Sequence, residues 1–202
     1  MTSEAIVIED IQPTTPDLGE LHYAGFWQRF GAFWLDIIIF LPITGLSYWL
    51  NERYRLAYVY SFVPWIIVGL WYYVYLVKRY GGTPGKRILK IRITRLDGTP
   101  VGYREAFLRH SVLFVLSILQ PIAILIAILN MSDAEYLSLG FQERTLKLVA
   151  MAPAWHETLN ILSNIWIWSE FVVMLTNKRR RAPHDFIAGT VVIRDTRPRA
   201  RE

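Results

Sequence analysis

The sequence predicts an all-α membrane protein, four transmembrane helices with a small cytoplasmic β element. Three observations lead there. The 202 residues carry 22 Lys+Arg and 17 Asp+Glu, yet four long stretches are almost free of charge. Each approaches the roughly 20 residues that a helix rising about 1.5 Å per residue needs to cross a hydrocarbon layer about 30 Å thick. Two short β-branched runs lie outside these stretches, in basic segments. Mean hydropathy is positive (+0.26) despite a formal charge of +5, so apolar and charged residues are segregated along the chain. With 53% apolar residues the chain cannot be largely disordered. With no cysteine it has no disulfide, thiolate metal site or cysteine nucleophile.

Residues 1–22 form an acidic segment with five acids and no Lys or Arg, and Pro13 and Pro16 flank Thr14 and Thr15. A mobile tail is expected. It lacks a basic stretch followed by an apolar core, so no cleavable signal peptide is expected. Residues 23–193 then form the membrane domain. Residues 30–50 hold one charge, Asp36; residues 56–77 and 111–129 hold none; residues 160–176 hold one, Glu170. The spans are placed at about 27–50, 56–77, 107–129 and 159–176. Neither uncharged stretch shows the polar stripe that a buried helix of a soluble protein keeps. Pro42, Pro64 and Pro121 read as kinks whose freed carbonyls are re-satisfied by neighbours in a bundle. Tryptophans and tyrosines crowd the ends of the spans, as headgroup-level aromatic belts do.

Lys and Arg set the orientation. Residues 78–106 carry eight and residues 177–202 eight more, whereas the first–second and third–fourth connections carry two each. Basic loops stay inside, so both termini are expected in the cytoplasm of a multi-pass inner-membrane protein. On that side, residues 89–94 alternate apolar and polar, Asp97-Gly98 signals a turn, and residues 190–193 are a second β-branched run. A lone strand is unstable in water, so the two are expected to pair as a cap on the bundle. Residues 136–151, in the external connection, are expected to form an interfacial helix. Residues 194–202 are a basic tail. No internal repeat is visible.

Charges inside the spans are the strongest functional pointers. An Asp at a span centre costs roughly 2.5–3.5 kcal/mol on the insertion scale, several times what one Ile or Leu contributes. Asp36 therefore needs compensation. Arg29 lies seven residues earlier, almost two turns, on the same helix face and roughly 10 Å away along the axis. Asp185 follows the basic end of the fourth span on the same side, and the apolar run after it implies that it is packed rather than exposed. Glu170 sits roughly 12 Å from its helix end, a depth similar to that of Asp36. The two acids are expected to line one polar cavity, the alternative being local hydrogen bonds from Glu170 to Ser163, Asn164 or Ser169.

Three motifs carry a resemblance. Residues 24–36, Ala-Gly-Phe-Trp-Gln-Arg-Phe-Gly-Ala-Phe-Trp-Leu-Asp, open the domain; Gly82-Thr83-Pro84-Gly85-Lys86-Arg87 with the following strand forms its middle; His184-Asp185-Phe186-Ile187-Ala188-Gly189-Thr190 closes it. In this order they resemble the RDD family of membrane proteins, named for one Arg and two Asp that fall here on Arg29, Asp36 and Asp185. The chain departs from shorter members in having four spans and a long external loop. The resemblance implies little about activity: some members are similar to cation/proton antiporters, and most have no assigned function.

The residues themselves leave two readings. One Arg and two Asp sum to −1, a balance that favours a proton or small cation and suits a transporter or transporter subunit, with Arg29 positioning, Asp36 loading and Asp185 gating. Such a small bundle would then be expected to self-associate. A structural ion-pair network looks the same from sequence, which leaves a non-catalytic scaffold or adaptor as the alternative. The glycine-rich turn is not a P-loop, because three residues separate Gly81 from Gly85 and Arg follows Lys. Lys86 and Arg87, with Lys178, Arg179, Arg180 and Arg181, are instead expected to touch anionic lipid headgroups of the bilayer. No recognition motif accompanies the basic charge, so nucleic acid is not an expected partner. The four histidines show no metal spacing and no nucleophile elbow occurs, so no enzyme activity, metal or cofactor is expected.

Overall fold

The computed structural model describes residues 22–195. Most of the tails, residues 1–21 and 196–202, lie outside the described residues. Four helices in it are long and apolar enough to cross a membrane. The first, α1 (Phe26–Arg53), starts where Gln28 Oε1 accepts the Gly25 N–H at 3.2 Å, closing a capping arrangement on the first turn. A three-residue turn forces the chain back into α2 (Ala57–Leu70), which continues through a π-helical turn (Trp71–Tyr75) into α3 (Leu76–Tyr80). Gly81 ends it with φ +75°, a left-handed conformation that glycine adopts without a Cβ penalty. A short α4 (Pro84–Ile88) precedes β1 (Ile91–Arg95), and α5 (Tyr103–Leu129) is the third of the long apolar helices. Two helices follow at the far end, α6 (Asp133–Ser138) and α7 (Phe141–Met151), before α8 (Trp155–Thr176) returns. A short α9 (Pro183–Ala188) and β2 (Thr190–Arg194) complete the described chain.

The two β-branched runs do pair. β1 and β2 are antiparallel, with Ile91 opposite Arg194 and Ile93 opposite Val192. The chain ahead of α1 joins them: Ala24 N–H donates to Val192 O at 2.9 Å, and Arg194 N–H donates to His22 O at 2.8 Å. This sheet, with Ala32, Val77 and Ala106 from the helices beneath it and Val101 from the loop before α5, is the best-buried core of the described residues. It defines a cap end of the bundle. The opposite, loop end has its own smaller core of Ala127, Ile128, Met131, Tyr136 and Leu148. Along the spans the large apolar side chains point outward: Ile38, Leu46, Ile67, Ile165 and Leu175 are all exposed, as lipid-facing residues are.

The helix in the connection before α8 is two helices rather than the one expected over 136–151. Leu139 is extended and Gly140 caps a new start, so α6 and α7 meet at an angle. Their buried face sets one charge, Arg144, beside Tyr136 and Leu148. Arg144 is buried, lies over the Tyr136 ring at 4.6 Å and pairs with Glu52 of α1, while Arg55 pairs with Asp133 and donates to Ile128 O at 2.8 Å. The fifth helix begins at Tyr103, about two turns ahead of the uncharged stretch 111–129, where Glu105 Oε2 accepts the Gly102 N–H at 2.7 Å and caps it. Those added turns carry Arg109 into the bundle.

Candidate functional site at the cap end

Two carboxylates are buried at the cap end, each held by a different motif. Asp36 projects from α1 towards α4 and the π-helical turn. Its Oδ1 accepts from the Tyr72 hydroxyl at 2.6 Å and from the Gly85 N–H at 2.7 Å; its Oδ2 accepts from the Thr83 hydroxyl at 2.6 Å. All three donors are neutral. Asp36 is only 6% exposed, so nearly every lone pair it would have shown to water is spent on protein. Local sequence explains the cradle. Thr83 has extended backbone and precedes Pro84, whose fixed φ starts α4, so the N–H groups of that first turn are unsatisfied and face α1. Gly85 is the only residue that fits. A Cβ there would stand 2.3 Å from Ala32 O and 2.6 Å from Asp36 Oδ1. Gly31, one turn away, makes room for Leu89 in the same contact, where an added Cβ would meet its Cδ1 at 3.0 Å.

Asp185 is fully buried in the first turn of α9. Oδ2 accepts from Arg29 Nη1 at 2.9 Å and from the Ala182 N–H at 3.0 Å, the second closing its own helix cap. Oδ1 accepts from Arg109 Nη1 and from the Thr190 hydroxyl, the latter at 3.2 Å. Burial alone would push this carboxyl up. Arg109 and Arg29 beside it, with the Ala182 N–H, outweigh that and hold it well below the usual carboxylate range.

A chain of contacts leads on from Asp185. Arg109 Nη2 lies 2.8 Å from His184 Nε2, and His184 Nδ1 pairs with the Glu170 carboxylate. A guanidinium has only donors, so Nε2 must accept. Nδ1 then carries the proton and gives it to Glu170, which makes His184 a neutral bridge; the tautomer follows from this network. Glu170, His184, Arg109, Asp185 and Arg29 thus tie α8, α9, α5 and α1 together. Three buried atoms in this region have no partner: Arg29 Nε, Arg29 Nη2 and Glu170 Oε1.

The expectations fare unevenly against this geometry. Arg29 does reach Asp185. It does not compensate Asp36, which is held by Tyr72, Thr83 and Gly85 instead; the supposed triad is two centres, because seven residues along α1 separate its two side chains by more than an Arg can span once it has turned towards α9. Asp36 and Glu170 do not share a cavity: one faces α4, the other His184, and Ser163 and Ser169 are engaged elsewhere. Lys86 is not splayed towards solvent, since its Nζ folds back to 3.5 Å from Thr83 Oγ1. Arg181 is likewise occupied. Its Nε donates to Thr190 O at 3.0 Å, its Nη2 donates to Asp185 O at 2.8 Å, and its guanidinium lies 4.1 Å from the Phe186 ring centre. Arg87, Lys178, Arg179 and Arg180 remain exposed.

Sequence reading missed Arg109, Tyr72, Thr83, Gly85, His184 and Thr190. Thr83, Gly85, His184 and Thr190 lie inside the quoted motifs but without a sign of their role, and Arg109 left a signal of its own: it stands two residues ahead of an uncharged 19-residue stretch, at the helix end facing the cap. Among the described residues no three His, Asp or Glu side chains converge as a metal site requires.

Residues 23–189 match the model of the RDD family. No curated protein and no solved structure matches the chain. The matched region contains Arg29, Asp36 and Asp185 and every side chain that holds them except Thr190. Four membrane-length apolar helices, one small sheet and a family match over most of the chain give one conclusion: this protein belongs to the RDD family and is a membrane protein.

Proposed function

We infer that this protein is a multi-pass inner-membrane scaffold or adaptor, with both termini and the sheet cap in the cytoplasm, whose Arg and Asp residues latch the cap onto the bundle. The sixteen Lys and Arg of residues 78–106 and 177–202, against four in the other two connections, support that orientation. Exposed Arg87, Lys178, Arg179 and Arg180 would then face anionic lipid headgroups. One observation carries the scaffold reading. The Asp36 carboxylate accepts three hydrogen bonds from neutral donors and is almost closed to solvent. An ion-loading carboxylate needs free lone pairs and a route to water; this one would have to break the α1–α4 contact to gain either.

A cation/proton-coupled transporter, self-associating around a shared path, is the second reading. The unpartnered Glu170 Oε1 and Arg29 nitrogens beside His184 favour it, because a relay needs groups with capacity to spare. Proton flux in proteoliposomes, driven by a cation gradient, separates the two. The scaffold reading expects wild type and Asp36→Asn to match protein-free vesicles. Cation-dependent flux in wild type that Asp36→Asn abolishes would overturn it.

A further inference from the structure

We propose that the cavity between α1, α2 and α5 is a binding site for an uncharged, single-tailed amphiphile taken from the membrane, its hydrocarbon tail among the aromatic rings and its polar end at Asn51. The cavity has a volume of about 460 Å³, within the range of small-molecule sites. Its wall is Phe40, Phe62, Trp65, Ile66, Phe114 and Pro121. From Phe40 to Asn51 it follows α1 for about 16 Å, roughly half the thickness of a hydrocarbon layer.

The chemistry of the lining narrows the occupant. No lining residue is Asp, Glu, Lys or Arg, and the His110 ring is stacked on Tyr73 at 4.8 Å, so no fixed charge balances a charged head in a low-dielectric setting. Of its six hydroxyls, Tyr58 and Tyr73 included, three donate to carbonyls of their own helices. Thr44 donates to Phe40 O and Leu41 O, Ser61 to Tyr58 O and Ser117 to Phe114 O, each within 3.1 Å. Ser47 Oγ accepts from Trp65 Nε1 at 3.2 Å. Asn51 Oδ1 is buried without a partner, at the end nearest the loops. Most of its accessible wall is apolar, and an unfilled apolar wall forfeits dispersion contacts. The helices that enclose it turn apolar outer faces to the membrane, which makes lipid the nearest source of a matching molecule.

Gly69 supplies the test. It lines the cavity, and a Cβ built on it meets nothing within 4 Å, so a side chain has room to start there. The full-length protein in nanodiscs is photolabelled with hexadecanol bearing a diazirine, and the labelled peptides are mapped. Labelling is expected to saturate, to fall on residues 40–51, 58–69 and 110–121, and to be competed by unlabelled hexadecanol. Gly69→Phe is expected to cut it about tenfold, or ~1.4 kcal/mol, with an unchanged melting temperature. The corresponding fatty acid probe is expected to label weakly. Labelling of wild type that does not saturate, or that spreads equally over the outer face of α8, overturns the proposal without reference to any variant. Equal labelling by alcohol and acid overturns the uncharged head.

Discussion

Gly85→Ala is the sharpest test of the α1–α4 contact. The new Cβ would stand 2.3 Å from Ala32 O, a backbone carbonyl inside a helix that cannot swing aside. Ordinary contact begins at 3.4 Å, so α4 must back away by about 1.1 Å. The Gly85 N–H to Asp36 Oδ1 bond, now 2.7 Å, would then lengthen to about 3.8 Å, beyond hydrogen-bond range. Overpacking costs ~1–3 kcal/mol and losing a hydrogen bond to a charged acceptor ~1.5–3 kcal/mol, so a loss of about 2.5–6 kcal/mol is expected. That is a large share of the ~5–15 kcal/mol by which folded proteins are stable. Titration of the protein in mixed micelles with sodium dodecyl sulfate, followed by tryptophan fluorescence, measures it. Gly45→Ala is the control, because its Cβ meets nothing within 4 Å and alanine favours helix by up to ~1 kcal/mol. If Gly85→Ala unfolds within ~0.5 kcal/mol of wild type, the cradle around Asp36 is not what holds α4 to α1.

Two further outcomes concern Asp185. Its folded-state pKa lies below the unfolded value of about 3.9, so its contribution is complete above that pH and is lost as pH falls towards the folded pKa. Wild type should therefore weaken steadily below about pH 4, while Asp185→Asn starts less stable at pH 7 and shows a shallower acid limb; identical slopes would contradict the assignment. Arg109 holds Asp185, Thr190 and His184 through a single guanidinium. Arg109→Lys keeps the charge but not the fork, and should cost about 1–3 kcal/mol in the same unfolding titration. A lysine variant as stable as wild type would mean that charge alone, without geometry, secures α9.

What the chain determines by itself is whatever depends on composition over a window. Four stretches of membrane length, the pairing of residues 89–94 with 190–193, and the burial of Arg29, Asp36 and Asp185 follow from hydropathy, alternation and the cost of placing a charge in hydrocarbon. Partner choice is a different matter. Asp36 demanded compensation, and the nearest charge in sequence was Arg29, yet neutral groups answer it from 36, 47 and 49 residues away. A carboxylate needs donors, not necessarily cations, and a tyrosine hydroxyl, a threonine hydroxyl and one backbone N–H carry no mark in sequence that they will serve. Arg109, His184 and Glu170 converge only because α5, α9 and α8 come together under the sheet. Hydropathy decides that a side chain must be buried. Which atoms meet it there is decided by the register of helices packed within a few ångströms of one another, and that exists only in the folded bundle.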